Sequence, residues 1–502
     1  MLDTPSQKRA RVSYFRTPPP ACAAAARDLQ PVSPAAGNFV IIARMHYLST
    51  RGGGEPLPFC KTVLTGLARD GGLFLPATIP DVRDRLAAWS RLSYADLAYE
   101  IMRFYADDIP APALRKMVVR SYAGFRHPDV TPVVAVGNVH ILELFHGPTL
   151  AFKDVALQFL GNLFEYVLSE TGGQLNIVAA TSGDTGSAAI HGVRGRDRMR
   201  IFVLHPHGRV SPVQERQMTS VLDANVQNLA VSGTFDDCQN IVKALFNDLP
   251  FRDRHHLGAV NSINWARVLA QITYYFYAAF RVMERTGATR VRFSVPTGNF
   301  GDIFAGYVAA RMGLPVDRLV LATNENDILT RFFTTGVYGT GQVVSTLSPS
   351  MDIQVASNFE RYLYYRANGD AQVVSKWMDG FQRTGKLELA AGDELIAAGR
   401  GDTAATLATI RDYWTQHHYL LDPHSAVGVH VAQQHLDAAA PMICLATAHP
   451  AKFGDAIVQA TGQDLAHHPI LDALANLPTR CTRLPAEQQA IAEFVEKMIL
   501  PG

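Results

Sequence analysis

Two rhythms of apolar residues alternate along most of this chain. Asn176-Ile177-Val178-Ala179-Ala180, Arg200 to Leu204, Val226 to Val231, Val291 to Val295 and Leu319 to Thr323 are short, mostly apolar runs. Such runs suit strands buried on both faces. Between them apolar residues recur every three or four positions, which predicts helices near 212–221, 235–248, 264–285 and 302–312. Apolar strands alternating with helices predict parallel sheets covered on both sides, an α/β architecture. The strands fall into two groups, at about 175–260 and 290–330. Two parallel-sheet lobes with a cleft between them are therefore expected within residues 136–502, the smaller lobe at about 175–260. From Met45 to about residue 135 the pattern is helical with loops, punctuated by Gly52-Gly53-Gly54, Gly71-Gly72 and Pro76. This stretch, 45–135, reads as an N-terminal domain.

Residues 1–44 break the pattern. Lys8, Arg9, Arg11, Arg16, Arg27 and Arg44 face only Asp3 and Asp28, beside Pro18-Pro19-Pro20 and an alanine tract. Such a segment buries too little apolar surface to offset its ordering entropy. A basic, acid-poor stretch also fits an organellar transit peptide. It lacks an amphipathic helical pattern, so a disordered extension, or a start placed upstream of Met45, is the expectation. The whole chain has 502 residues, 48% apolar and 18% charged, with a formal net charge of +1. That is ordinary globular composition with room for two or three cores. A net charge near zero gives no reason to expect nucleic acid or an anionic membrane as partner. The runs Tyr274 to Phe280 and Phe39 to Ala43 are too short to span a bilayer. Cys22, Cys60, Cys238, Cys444 and Cys481 are scattered, with no pair at metal-ligand or redox spacing, and read as reduced thiols of a cytoplasmic protein.

Candidate chemistry begins at Phe145-His146-Gly147-Pro148-Thr149-Leu150-Ala151-Phe152-Lys153-Asp154. Gly147-Pro148 breaks what precedes, and Phe159, Leu160, Leu163, Phe164, Val167 and Leu168 mark the buried stripe of the helix that follows. Lys153 thus stands at a helix entrance, where the macrodipole disfavours an ammonium ion. A neutral amine is what Schiff-base chemistry requires. Alone, such a lysine would be an ordinary solvated charge; its company singles it out.

Two strand-to-helix turns supply that company. Val291 to Val295 runs into Pro296-Thr297-Gly298-Asn299-Phe300-Gly301-Asp302, an anion cradle in which Gly298 and Gly301 permit close backbone approach. It is neither a dinucleotide fingerprint nor a P-loop. Asn176 to Ala180 runs into Thr181-Ser182-Gly183-Asp184-Thr185-Gly186-Ser187, whose hydroxyls and amides suit a carboxylate or phosphate, or simply cap a helix. Leu421-Asp422-Pro423-His424-Ser425 and Thr447-Ala448-His449-Pro450-Ala451-Lys452 are further polar turns. His424 and His449 are expected to be structural, since the sequence offers no evident carboxylate partner. Asn264, Arg267 and Gln271 share neighbouring faces of one helix, and Arg267 is an ion-pair member or an anion clamp. A helix-entrance lysine and two anion loops, with no metal-ligand cluster, fit pyridoxal phosphate.

These motifs, in this order, resemble the threonine synthase family, of the longer microbial and fungal type. The resemblance runs from Met45 nearly to the C-terminus. It includes Tyr47-Leu48-Ser49-Thr50-Arg51-Gly52, Gly66 to Phe74, Phe145 to Asp154, Ser182 to Gly186, Ser262 to Arg267, Gly298 to Asp302, Asp422-Pro423-His424 and Thr447 to Pro450. It implies a fold type II (tryptophan synthase β-like) pyridoxal-phosphate enzyme that makes L-threonine and phosphate from O-phospho-L-homoserine and water. By the same resemblance Lys153 bonds the cofactor aldehyde, and Gly298, Asn299, Phe300, Gly301 and Asp302 form the cofactor-phosphate loop. Asp302 would orient that loop rather than touch phosphate. Thr447 would face the ring nitrogen, Ser182, Gly183, Asp184 and Thr185 would grip the substrate carboxylate, and Asn264 and Arg267 are candidates for the substrate phosphate. Relatives on this fold often carry Asn where this chain has Asp184, and a carboxylate beside a phenolate would repel unless one holds a proton. A monomer or a homodimer would serve. The alternative activity is a phospho-lyase releasing 2-oxobutyrate from the same substrate; a non-catalytic sensor of a phosphorylated metabolite is the rival from another class.

Overall fold

The computed structural model describes residues 44–499; the extension expected at 1–44 lies, apart from Arg44, outside the described residues. The chain opens with an antiparallel pair, β1 (Tyr47–Ser49) and β2 (Phe74–Pro76). Helices α1 (Tyr94–Met102) and α2 (Ala111–Tyr122) follow. Ser93 caps α1 by accepting from the Asp96 amide, and Pro110 and Pro112 start α2. The antiparallel hairpin β3 (Val133–Val136) and β4 (Val139–Glu143) leads to the long helix α3 (Lys153–Thr171). The whole stripe expected from Phe159 to Leu168 is buried, and α3 stops at Gly172, whose φ of 69° only glycine adopts cheaply.

The smaller lobe then forms from β5 (Leu175–Ala180), α4 (Asp184–Val193), β6 (Met199–Pro206), β7 (Val226–Ser232), α5 (Phe235–Asn247) and β8 (Leu257–Gly258). The 22-residue helix α6 (Trp265–Thr286) crosses to the larger lobe, buried on nearly every face. That lobe contains β9 (Val291–Pro296), α7 (Gly301–Arg311), β10 (Val316–Thr323), the small pair β11 (Val337–Gly339) and β12 (Lys386–Glu388), β13 (Ile396–Arg400), α8 (Pro423–Ala432) and β14 (Met442–Ala446). Finally β15 (Thr482–Pro485) and α9 (Gln488–Ile499) return to the smaller lobe.

The larger sheet has the order β13-β10-β9-β14-β4-β3, parallel except for β3. The smaller has the order β15-β7-β6-β5-β8, parallel throughout. Two features extend past the spans read from the sequence. The larger sheet recruits β3 and β4 from before the smaller lobe, and the smaller sheet gains β15 from residues 482–485, well beyond 175–260. β15 alternates half-buried and exposed residues over only four positions. That is too brief for a periodicity signal, yet it covers the edge that β7 would otherwise leave open. Among the described residues, Cys60, Cys238, Cys444 and Cys481 are free thiols.

Candidate active site

The loops that leave β5 and β14 at their carboxyl ends meet the start of α3, through Asp184 at Lys153 and Thr447 at Phe152, and the loop that leaves β9 packs against Ser350 beside them. This is where open parallel sheets gather ligands. Lys153 is buried there, with only long contacts: its Nζ lies 3.5 Å from Ser350 Oγ and 3.7 Å from Asp184 Oδ2. Its amine is pushed below the usual lysine range, first by burial, then by the nearby cations Lys452 and Arg267, while Asp184 opposes the shift. The sequence pointed to the same direction through the helix end. Burial is the larger cause.

Asp184 stands in the first turn of α4, held by three partners. Lys452 Nζ lies 2.6 Å from its Oδ1, Gln214 Nε2 donates to the same oxygen at 2.7 Å, and Lys153 faces Oδ2. Burial alone would raise its carboxyl, but Lys452 and Lys153 outweigh burial and hold it well below the usual carboxylate range. Gly183, before it, has a φ of 140°, and a Cβ there would sit 2.6 Å from Gln214 Cδ. Ser182 is exposed, Thr185 half-buried. Thr181 Oγ1 accepts from the amides of Gly183 and Gly186 and so folds the loop back on itself.

The second loop enters α7. Thr297 donates its amide to Ala322, whereas the amides of Gly298, Asn299 and Phe300 find no partner among the described residues. Phe300 adopts a left-handed conformation (φ 62°, ψ 0°) at the N-cap. A left-handed residue at a helix entrance turns successive N–H groups toward one side, the geometry of an anion nest. Its ring packs among Phe333, Phe359 and Tyr362, so its backbone faces the turn while its side chain serves the core. The Asn299 carbonyl accepts from Asn358, and a Cβ on Gly301 would sit 3.1 Å from the Asn358 carboxamide nitrogen. Gly298 is tighter: a Cβ would sit 2.8 Å from the Ser350 carbonyl oxygen. The Asp302 carboxylate reaches away from the loop, accepting from Tyr274 and, at 2.9 Å, from Tyr275, both on α6. Burial pushes it up to about 6 against those two hydrogen bonds.

Thr447 follows β14. Its amide donates to Ser425 Oγ at 3.0 Å and its carbonyl accepts from Phe152, so the residue is fixed beside Lys153. Its hydroxyl makes no hydrogen bond among the described residues. Ser425 in turn donates to Asp422, the cap of α8. Here the expectation for His424 needs correction. The partner the sequence did not reveal is Asp422, two residues away: His424 Nδ1 lies 2.9 Å from Asp422 Oδ1, and Nε2 accepts the Ser350 amide at 3.2 Å. That pattern places the imidazole proton on Nδ1 and orients Ser350 toward Lys153. His449 caps the turn Pro450–Lys452.

Arg267 is buried, donating through one terminal nitrogen to the Val260 carbonyl, with its Nε unpartnered and no carboxylate paired to it among the described residues. Burial lowers it to about 10. Asn264 is not available in the same way, contrary to the sequence expectation. Its carboxamide oxygen caps α6 at Ala266, and its nitrogen donates to the Val63 carbonyl at 2.8 Å. One donor and one acceptor of the side chain thus serve the fold, because the start of so long a buried helix needs a cap. Sequence reading also passed over Ser350, Gln214 and the role of Lys452. Ser350 lies in a single 3₁₀ turn, Pro349–Met351, that follows an irregular stretch without periodicity, and a buried lysine looks like a surface one until its surroundings are known.

A phosphorylated aldehyde fits these residues: an under-partnered buried amine for the aldehyde, unpartnered amides for the phosphate, a free hydroxyl at Thr447. The family described as "Threonine synthase N terminus" matches residues 46–122, "Pyridoxal-phosphate dependent enzyme" matches 129–447, and "Threonine synthase, C-terminal" matches 425–495. A threonine synthase of Schizosaccharomyces pombe is 48% identical over 83% of this chain and 89% of its own length. The crystal structure of a pyridoxal-phosphate-bound threonine synthase from Brucella melitensis superposes with a TM-score of 0.87 at 47% identity, covering 91% of this chain and 100% of that one. The structure of the yeast threonine synthase gives 0.86 at 44% identity, covering 90% and 98%. With a lysine at the entrance of α3, an anion nest at α7 and relatives of this closeness along nearly its whole described length, the chain belongs to the threonine synthase family of fold type II pyridoxal-phosphate enzymes.

Proposed function

We propose that this chain converts O-phospho-L-homoserine and water to L-threonine and phosphate. The observation that carries the reading is Arg267, a buried guanidinium paired with no carboxylate among the described residues and close enough to Lys153 to disfavour the lysine's charge. A buried unpaired charge is costly, and an incoming dianion would relieve the cost. Arg267 would therefore receive the substrate phosphate, while the entrance of α4, residues 182–185, offers its amides and hydroxyls to the substrate carboxylate. The 298–301 turn would hold the cofactor phosphate, and the Thr447 hydroxyl would meet the ring nitrogen. Bound pyridoxal phosphate supplies an electron sink for charge developing next to the substrate amine.

Lys153, whose amine burial shifts toward its neutral form, is the base placed to take the α-proton and later return it. Ser350, oriented by His424, lies within reach of that amine and of the Gly298 turn. We also read the enzyme as cytoplasmic, and as a monomer or a homodimer. Scattered free thiols support the location, and among the described residues no helix is long and apolar enough to cross a membrane.

The test is one assay with O-phosphohomoserine that resolves threonine from 2-oxobutyrate. Threonine released in step with phosphate supports the reading. Release of 2-oxobutyrate instead would make the chain a phospho-lyase, and protein that stays colourless with added pyridoxal phosphate and inactive would make it a sensor.

A further inference from the structure

Asp184 raises a difficulty that the rest of the site answers. A carboxylate 3.7 Å from an amine holds that amine as an ammonium ion, which neither bonds an aldehyde nor accepts a proton. Lys452 is nearer, at 2.6 Å, and is completely buried. It follows β14 in the larger lobe, whereas Asp184 opens α4 in the smaller, so the pair bridges the cleft. Lys452 is locked by a second bond, 2.9 Å to the Thr149 carbonyl, which Gln217 also approaches at 3.2 Å. Thr149 is itself held through its amide and hydroxyl by Asp154, at 2.8 and 2.7 Å. Gln214 fixes Asp184 from the other side. Nothing in this arrangement is loose enough to let the carboxylate turn fully to Lys153.

We infer that Lys452 is a positioning residue for Lys153: it claims the Asp184 carboxylate across the cleft and so prevents that carboxylate from fixing Lys153 as an ammonium ion. The pair is thus a neutral substitute for a carboxamide at this position of the loop. The inference rests on Lys153 as the cofactor lysine. The charged and titratable groups facing the pair are Lys153 and Asp154 on α3, His191 on α4, Arg267 on α6 and His424 on α8. Of these only Lys153 lies within ion-pair distance of Asp184 besides Lys452.

The experiment compares holoenzyme of wild type, Lys452→Met, Asp184→Asn and the double variant. Two pH profiles are read, the retention of visible cofactor on dialysis and the acidic limb of kcat/KM, with melting temperature as a check on folding. Without Lys452 the carboxylate has Lys153 as its remaining cation, so both midpoints should rise by about 1–3 pH units in Lys452→Met. The double variant should bring them back toward wild type and above those of Asp184→Asn, in which an unpaired Lys452 repels Lys153. Midpoints unchanged in Lys452→Met overturn the inference. If Lys452→Met does not accumulate as folded holoenzyme, Lys452→Gln, which keeps a donor for the Thr149 carbonyl but no charge, is read in its place, and unmoved midpoints there overturn the inference equally. Borohydride trapping keeps the two levels apart. A label on another lysine removes the underlying reading, whereas a label on Lys153 with unmoved midpoints removes only the role of Lys452.

Discussion

Replacing Lys153 by alanine separates its packing from its chemistry, because among the described residues its amine has only long contacts, with Ser350, Asp184 and the Phe152 ring. Lys153→Ala should fold with a melting temperature near that of wild type, yet show no turnover and no visible bound-cofactor absorbance. Lys153→Arg should be equally inactive, since a guanidinium stays protonated. Arg267→Met keeps most of the buried stem and removes the charge proposed to meet the substrate phosphate. Losing a charge-assisted hydrogen bond of about 1.5–3 kcal/mol should raise KM for O-phosphohomoserine by about 10–100-fold. Steady-state kinetics that leave KM unchanged would move the phosphate elsewhere. Lys153 and Arg267 could be singled out as candidates from the sequence because a helix entrance and a helix face give them a place. Lys452 was not, because what sets it apart is a carboxylate lying 268 positions earlier in the chain.

At the scale of elements, Asp302 joins α7 to α6 through Tyr274 and Tyr275. Its carboxyl is raised to about 6 from an ordinary 3.8, so the folded state prefers its protonated form. The stability this contributes is complete below about pH 4 and is lost as the pH rises through about 6. Asp302→Asn should remove that loss. Thermal melts at pH 4.5 and 7.5 should then fall less, or rise more, between the two values in the variant than in wild type. Gly298→Val should release cofactor on dialysis for a reason more local than a blocked phosphate: its side chain must displace the Ser350 carbonyl, and with it the segment beside Lys153. Full cofactor occupancy in that variant would place the phosphate in another loop. The strands and helices read between 176 and 323 were legible because each run is long enough to show its pattern, whereas β8, of two residues, is not. Ser350 was not, because the stretch from Thr340 to Ser348 has neither period nor regular structure. The part Asn264 plays in the fold was not legible, because the Val63 carbonyl it meets lies 201 positions earlier in the chain.

For the whole molecule, the return of β15 and α9 completes the smaller lobe. Ile491 and Val495 are fully buried there against Phe202, Leu204 and Leu229. Ile491→Ala should therefore cost about 2–5 kcal/mol, seen as a lower denaturation midpoint with unchanged kcat at low temperature. A loss below about 0.5 kcal/mol, the scale of a surface substitution, would mean that α9 is only loosely laid on the sheet. The placement of these last elements also bears on how the protein is born. A ribosome makes β7 and then the rest of the larger lobe before Thr482 emerges, so during synthesis the outer edge of β7 waits unpaired beside an uncovered apolar surface. Open strand edges invite pairing with other chains. The nascent protein should for that interval depend on chaperones, and ribosome-bound chains halted before Thr482 should aggregate or bind holdases where full-length chains do not.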